Sequence, residues 1–91
     1  MVVIHVASRF HRSFKKMPDP IRENFSVKIT LFIKDPFNPS LKTHKLKGNL
    51  GSYYAFHLRE GYRVLFEFQD TNNVLMVNIG SHDDYSKWEK G

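Results

Sequence analysis

Ninety-one residues, 41% hydrophobic and 25% charged, suffice for one compact domain, expected to span residues 1–91, and argue against both a disordered chain and a two-domain enzyme. The absence of cysteine excludes a disulfide framework, a thiolate nucleophile and a cysteine-based zinc site. The net charge of +5 is unevenly placed, with ten Lys/Arg against three Asp/Glu in residues 1–48 and four against six in residues 49–91, so the N-terminal half suits a polyanion, an acidic protein partner, or no more than a soluble surface.

The first residues, MVVIHVASRF, are interrupted by His5 and Arg9 too soon for a signal peptide or membrane span, which makes the cytoplasm the expected location and leaves no role for a membrane. Val2 to Val6 are mostly β-branched and read as a strand that joins the sheet. Ser8 is a candidate cap for a short helix with Phe10, Phe14 and Met17 at near-helical spacing. Asp19 can cap a second helix with Pro20 at its first position, and Ile21, Phe25, Ile29 and Phe32 draw an apolar stripe along it, with Arg22, Lys28 and Lys34 off the stripe. Asp35-Pro36 ends that helix and DPFNPS is a loop.

From Tyr53 the period changes to two. Tyr53 to Leu58 and Tyr62 to Phe68 form a hairpin, and the length of its turn decides which side chains share a face. A two-residue turn at Glu60-Gly61 would mix polar and apolar sets. A three-residue loop, Arg59 to Gly61 with Gly61 left-handed, sets Leu58 against Tyr62, Phe56 against Val64 and Tyr54 against Phe66, so one face is wholly apolar. The other face then pairs His57 with Arg63 and is expected to stay open. DTNN is a turn, Val74 to Ile79 is a central strand with apolar residues on both faces, and SHDDYSKWEKG allows a short helical turn. The resulting class is α+β: a small antiparallel sheet of about four strands with a mixed edge, two N-terminal helices on one face, in the order βααβββ.

This order, together with HKLKG before the hairpin, LREGYRVLFEF across it and IGSHDDY after the last strand, resembles the RelE/ParE superfamily of bacterial toxins, and most closely its RelE and YafQ branch of messenger-RNA interferases. The resemblance implies the toxin of a type II toxin–antitoxin system, of the kind also associated with plasmid stabilisation, held silent by a cognate antitoxin. Such a toxin enters the ribosomal A site, against ribosomal RNA, and cuts the mRNA there. It implies catalytic histidines at His44, His57 and His82. Where YafQ-like enzymes carry an aspartate at the hairpin turn, this sequence has Gly61 at or near the position. RelE-like members instead use two lysines before the turn and an arginine after it. Arg63 matches the arginine, while His57 and Ala55 occupy the lysine positions.

Cleavage of RNA without a metal needs a base for the ribose 2′-OH, a cation for the charge growing on phosphate and an acid for the departing 5′-oxygen. Histidine suits either proton role and arginine the cation. The plainer readings are an exposed strand histidine for His57, a capping role for His82 and a basic surface for His44. Zinc is not expected, since spacings of thirteen and twenty-five residues form no metal motif and Arg63 would repel a dication; no other cofactor is implied. Lys42, Lys45, Lys47 and Arg59 are candidates for tracking the RNA backbone, Tyr85 for stacking on a base, and Asp83 or Asp84 for orienting His82 or capping a helix. A ParE-like gyrase inhibitor, or an inactive relative that only binds antitoxin or RNA, is compatible with the same fold.

Overall fold

The structure, a computed structural model, describes residues 1–47 and 52–89. In chain order the elements are β1 (Val3–Val6), α1 (Ser8–Lys15), α2 (Asp19–Lys34), a 3-10 turn (Pro39–Leu41), β2 (His44–Lys45), β3 (Tyr53–His57), a 3-10 turn (Arg59–Gly61), β4 (Arg63–Phe68), β5 (Asn73–Gly80) and α3 (His82–Glu89). The sheet runs β1-β5-β4-β3-β2, with β1 parallel to β5 and every other pair antiparallel. The α+β class, the mixed edge and the interior position of β5 agree with what the sequence implies.

The hairpin adopts the expected register: Tyr54 faces Phe66, Phe56 faces Val64 and His57 faces Arg63. Both Glu60 (φ 57°) and Gly61 (φ 79°) are left-handed, so the reversal uses one more strained residue than the glycine alone. Tyr62 N–H closes the turn on the Arg59 carbonyl at 3.2 Å.

β5 carries a bulge. Leu65 lies opposite Asn78 and Phe66 opposite Met76, leaving Val77 as the extra residue. The bulge shifts the alternation by one, so that Val74, Met76 and Ile79 all point into the core beneath the helices, with Phe56, Val64 and Phe66. From α1 and α2, Phe10, Ile21 and Phe32 meet them. The Phe32 ring lies 5.0 Å from Phe56 and 4.9 Å from Phe66, the latter edge to face. The stripe on α2 is therefore a core face: Ile21 and Phe32 are buried, and Phe25 and Ile29 pack at its margin.

Four expectations change. The sheet has five strands, because His44–Lys45 pairs with Tyr54 and Ala55 of β3. Two residues are too few to show a period. Ser8 and Asp19 lie inside their helices, whose caps are Ala7 and Pro18 and make no side-chain hydrogen bond. Asp19 instead sits in the first turn, where its charge complements the helix N-terminus and pairs with Arg22. The tail forms eight residues of helix rather than one turn. Finally, the second sheet face is not open: α3 lays Tyr85 on it, and Leu46, Ala55, Leu65 and Tyr85 form a second buried cluster flanked by Tyr53, Val77 and Trp88. Apolar Leu65 and Ala55 on that face require such a cover.

Candidate active site

Strand register builds the site. His57 at the end of β3 lies opposite Arg63, and Arg63 in turn lies opposite Gly80, so three neighbouring strands end in one row. His44 on the edge strand lies opposite Ala55, two residues before His57 and on the same face. Its ring reaches His57 with centroids 5.5 Å apart and planes at 74°.

His44 is held at both nitrogens. Nδ1 lies 3.0 Å from the Lys42 carbonyl oxygen, which can only accept, so Nδ1 carries a proton. Nε2 lies 2.6 Å from the Tyr85 hydroxyl, which donates to it when the ring is neutral. Tyr85 is thus buried, with its hydroxyl engaged and the Arg63 guanidinium 5.0 Å from its ring centre. This differs from the expected base-stacking role, since the second core takes up the ring. Arg63 is fixed further by donating from Nη1 to the Gly61 carbonyl at 2.7 Å. Its Nε is buried and has no hydrogen-bond partner among the described residues.

Burial, then the charge of Arg63, then those of His44 and Lys42, push the His57 imidazole down to about 4 from an ordinary 6.5. At neutral pH His57 is uncharged. It carries a lone pair beside a permanent cation, the pairing that a proton acceptor and an oxyanion stabiliser require.

His82 opens α3 and is exposed. A Cβ added at Gly61 would stand 3.4 Å from the His82 Cβ, which locates His82 against the hairpin turn whose carbonyl holds Arg63. Among the described residues its imidazole makes no hydrogen bond or ring contact, so it flanks the pair instead of closing over it. Ser81 and Asp84 explain the placement. Asp84 Oδ2 accepts from the Ser81 N–H (2.9 Å) and hydroxyl (3.1 Å), and Ser81 Oγ accepts from the Asp84 N–H (3.3 Å), a reciprocal cap. Ser81 is therefore the N-cap of α3 and Asp84 its partner in the first turn. Asp83 is exposed in the first turn, where its charge suits the helix N-terminus.

Of the basic candidates, Lys45 lies opposite Tyr54, on the sheet face away from His44, and is exposed. Lys47 is exposed beyond β2, and Gly48 of the same motif lies outside the described residues. Arg59 and Lys42 do meet His57, in a cleft of about 280 Å3 that is also lined by Asn24, Lys28, Ser40 and Leu58. Asn24 and Lys28 come from α2, some thirty residues distant in sequence, and their position off the apolar stripe is the only sign of them in the sequence. No group of three or more metal-binding side chains occurs among the described residues.

Residues 2–87 match the model of a family described as the YafQ bacterial toxin of type II toxin–antitoxin systems. Among solved structures, YafQ from E. coli strain BL21(DE3) is similar over 93% of this chain and 98% of its own, with a TM-score of 0.74 at 15% identity. The E. coli DinJ-YafQ toxin–antitoxin complex gives a TM-score of 0.71 at 16% identity over 91% and 94%. The RelB-RelE antitoxin–toxin complex from Methanococcus jannaschii gives 0.72 at 19% identity over 91% and 95%. Among curated proteins none matches significantly.

Proposed function

The chain belongs to the YafQ family of bacterial toxins of type II toxin–antitoxin systems, and from that premise we propose that it is a ribosome-dependent endoribonuclease that cuts translated mRNA by metal-independent acid-base chemistry. The observation that carries this reading is the uncharged His57 imidazole set across one strand pair from Arg63.

In the proposed reaction His57 removes the proton from a ribose 2′-OH, and the 2′-oxygen attacks the adjacent phosphorus. Charge gathers on the non-bridging oxygens, and Arg63, fixed by the Gly61 carbonyl and the Tyr85 ring, stabilises it. The bond to the 5′-oxygen breaks, and His82 at the turn supplies that oxygen with a proton. The products are a 2′,3′-cyclic phosphate and a 5′-hydroxyl. His44, held by Tyr85 and the Lys42 carbonyl, supports the charge balance around His57. With base, cation and acid all drawn from side chains, the scheme has no step that requires a metal.

The partners in this reading are mRNA, the ribosomal A site and a cognate antitoxin. The similar E. coli and M. jannaschii toxins occur in complexes with DinJ and RelB, which supports the last of these. The test is primer extension on translated messages after induction, comparing wild type with His57→Ala and His82→Ala. Each substitution should lower cutting by roughly 100-fold or more while the protein stays folded. Undiminished cleavage in His57→Ala would sink the assignment, and intact messages with trapped gyrase–DNA complexes would favour a ParE-like inhibitor.

A further inference from the structure

We propose that the cleft beside His57 is a phosphate-binding subsite that grips the backbone of single-stranded RNA next to the linkage being cut. Three separate elements converge on it: α2 brings Asn24 and Lys28, the segment before β2 brings Ser40 and Lys42, and the hairpin brings His57, Leu58 and Arg59. Three of these side chains, Lys28, Lys42 and Arg59, are basic, none is a carboxylate, and only Leu58 is apolar. Basic side chains lining one cleft with no carboxylate among them favour an anionic occupant.

The donors are also held in place. The Asn24 side-chain oxygen accepts the Arg59 N–H at 2.9 Å, which ties the hairpin turn to α2 and leaves the Asn24 amino group as a pair of donors. Lys28 Nζ donates to the Ser40 carbonyl at 3.3 Å, which engages one of its three N–H groups. Lys42 adopts a left-handed backbone (φ 52°, ψ 38°) that a lysine seldom takes, at the end of a turn whose Asn38 side chain caps Ser40. Its charge is felt at His57, so the cleft and the base form one electrostatic unit.

About 280 Å3 lies near the lower end of ligand-binding clefts and exceeds what a lone phosphate needs. An acidic peptide would need apolar anchors that this lining lacks, whereas a polynucleotide presents a run of phosphates, and His57, which lines the cleft, lies directly opposite Arg63 in the hairpin. The assignment rests on the nuclease reading of His57 and Arg63.

The test is a backbone-amide NMR titration of the full chain with a short oligoribonucleotide whose riboses are 2′-O-methylated, so that it binds without being cut. Wild type, Lys28→Gln, Lys28→Arg and Arg59→Gln are compared at several salt concentrations, with thermal melts confirming that each is folded. Shifts should concentrate at Asn24, Lys28, Lys42 and Arg59. Lys28→Gln and Arg59→Gln should each weaken binding severalfold and lower the slope of log K against log salt by about 0.7, the value for one phosphate contact on a single strand. Lys28→Arg should restore most of the loss.

Equal affinity and slope in Lys28→Gln and Arg59→Gln overturns the subsite, as does a wild type that binds no oligonucleotide or a loss confined to binding of an acidic peptide. The two readings fail separately. Cleavage lost in His57→Ala with unaltered binding in Lys28→Gln rejects only the subsite, whereas cleavage retained in His57→Ala with weakened binding in Lys28→Gln rejects only the role of His57 as the base.

Discussion

His57 is kept unprotonated by its burial and by Arg63 directly across the strand pair, so each residue's chemistry depends on the other. Replacing Arg63 with Gln removes a repelling charge, and the His57 pKa should rise from about 4 toward 6.5 when followed by the ring Cε1 proton in an NMR titration. No rise would mean that burial and the charges of His44 and Lys42 hold it down without Arg63. Under the proposed mechanism the acidic limb of kcat/KM for the free protein should fall near the same value, because protonated His57 cannot act as a base. Tyr85 is a positioning residue: Tyr85→Phe removes the donor to His44 Nε2 and should cost about 1 kcal/mol in stability, measured by denaturant unfolding. His57 and Arg63 are legible as a pair in the sequence, because hairpin register follows from alternation and turn length. The engagement of Tyr85 by His44 is not, since forty-one residues separate them.

At the scale of elements, α3 decides where His82 stands. Its start is set by the Ser81–Asp84 box, and the preceding Gly80 leaves room for it. A Cβ at Gly80 would come within 2.6 Å of Asp84 Oδ2. Asp84→Ala should therefore destabilise the protein by about 1 kcal/mol and fray α3, read as faster amide exchange at Tyr85 and beyond. Gly80→Ala should displace the same carboxylate and fray the same turn, and protection equal to wild type in both variants would refute the capping account. In β5, by contrast, no residue type announces the bulge. The spacing of Val74, Met76 and Ile79 fits one face only when Val77 is looped out, and that is chosen by the core and not by local preference.

For the molecule as a whole, two apolar clusters sandwich one sheet, and their sizes differ. Phe56 sits in the larger, in contact with Phe25, Phe32 and Phe66, and Phe56→Ala should cost about 3–5 kcal/mol, a large share of the stability of a small domain, measured by denaturant unfolding. The protonation of His57 also enters global stability. Between pH 6.5 and about 4 the unfolded chain takes up a proton that the folded site refuses, so stability should decline as pH falls through that window. His57→Gln should flatten this part of the curve in chemical denaturation at successive pH values. A slope identical to that of wild type would place the pH sensitivity in other groups.

The sequence by itself determined the α+β class, the apolar stripe of α2, the hairpin register and the His57–Arg63 pair. All of these rest on periodicity within short stretches, where neighbours in the chain are neighbours in space. Only the tertiary structure decided that α3 covers the second sheet face, that His44 arrives on a two-residue edge strand, that His82 flanks the pair, and that Asn24 and Lys28 meet His57 in one cleft. These are contacts between distant segments. They are selected by burial of the whole apolar surface at once, which no local pattern records.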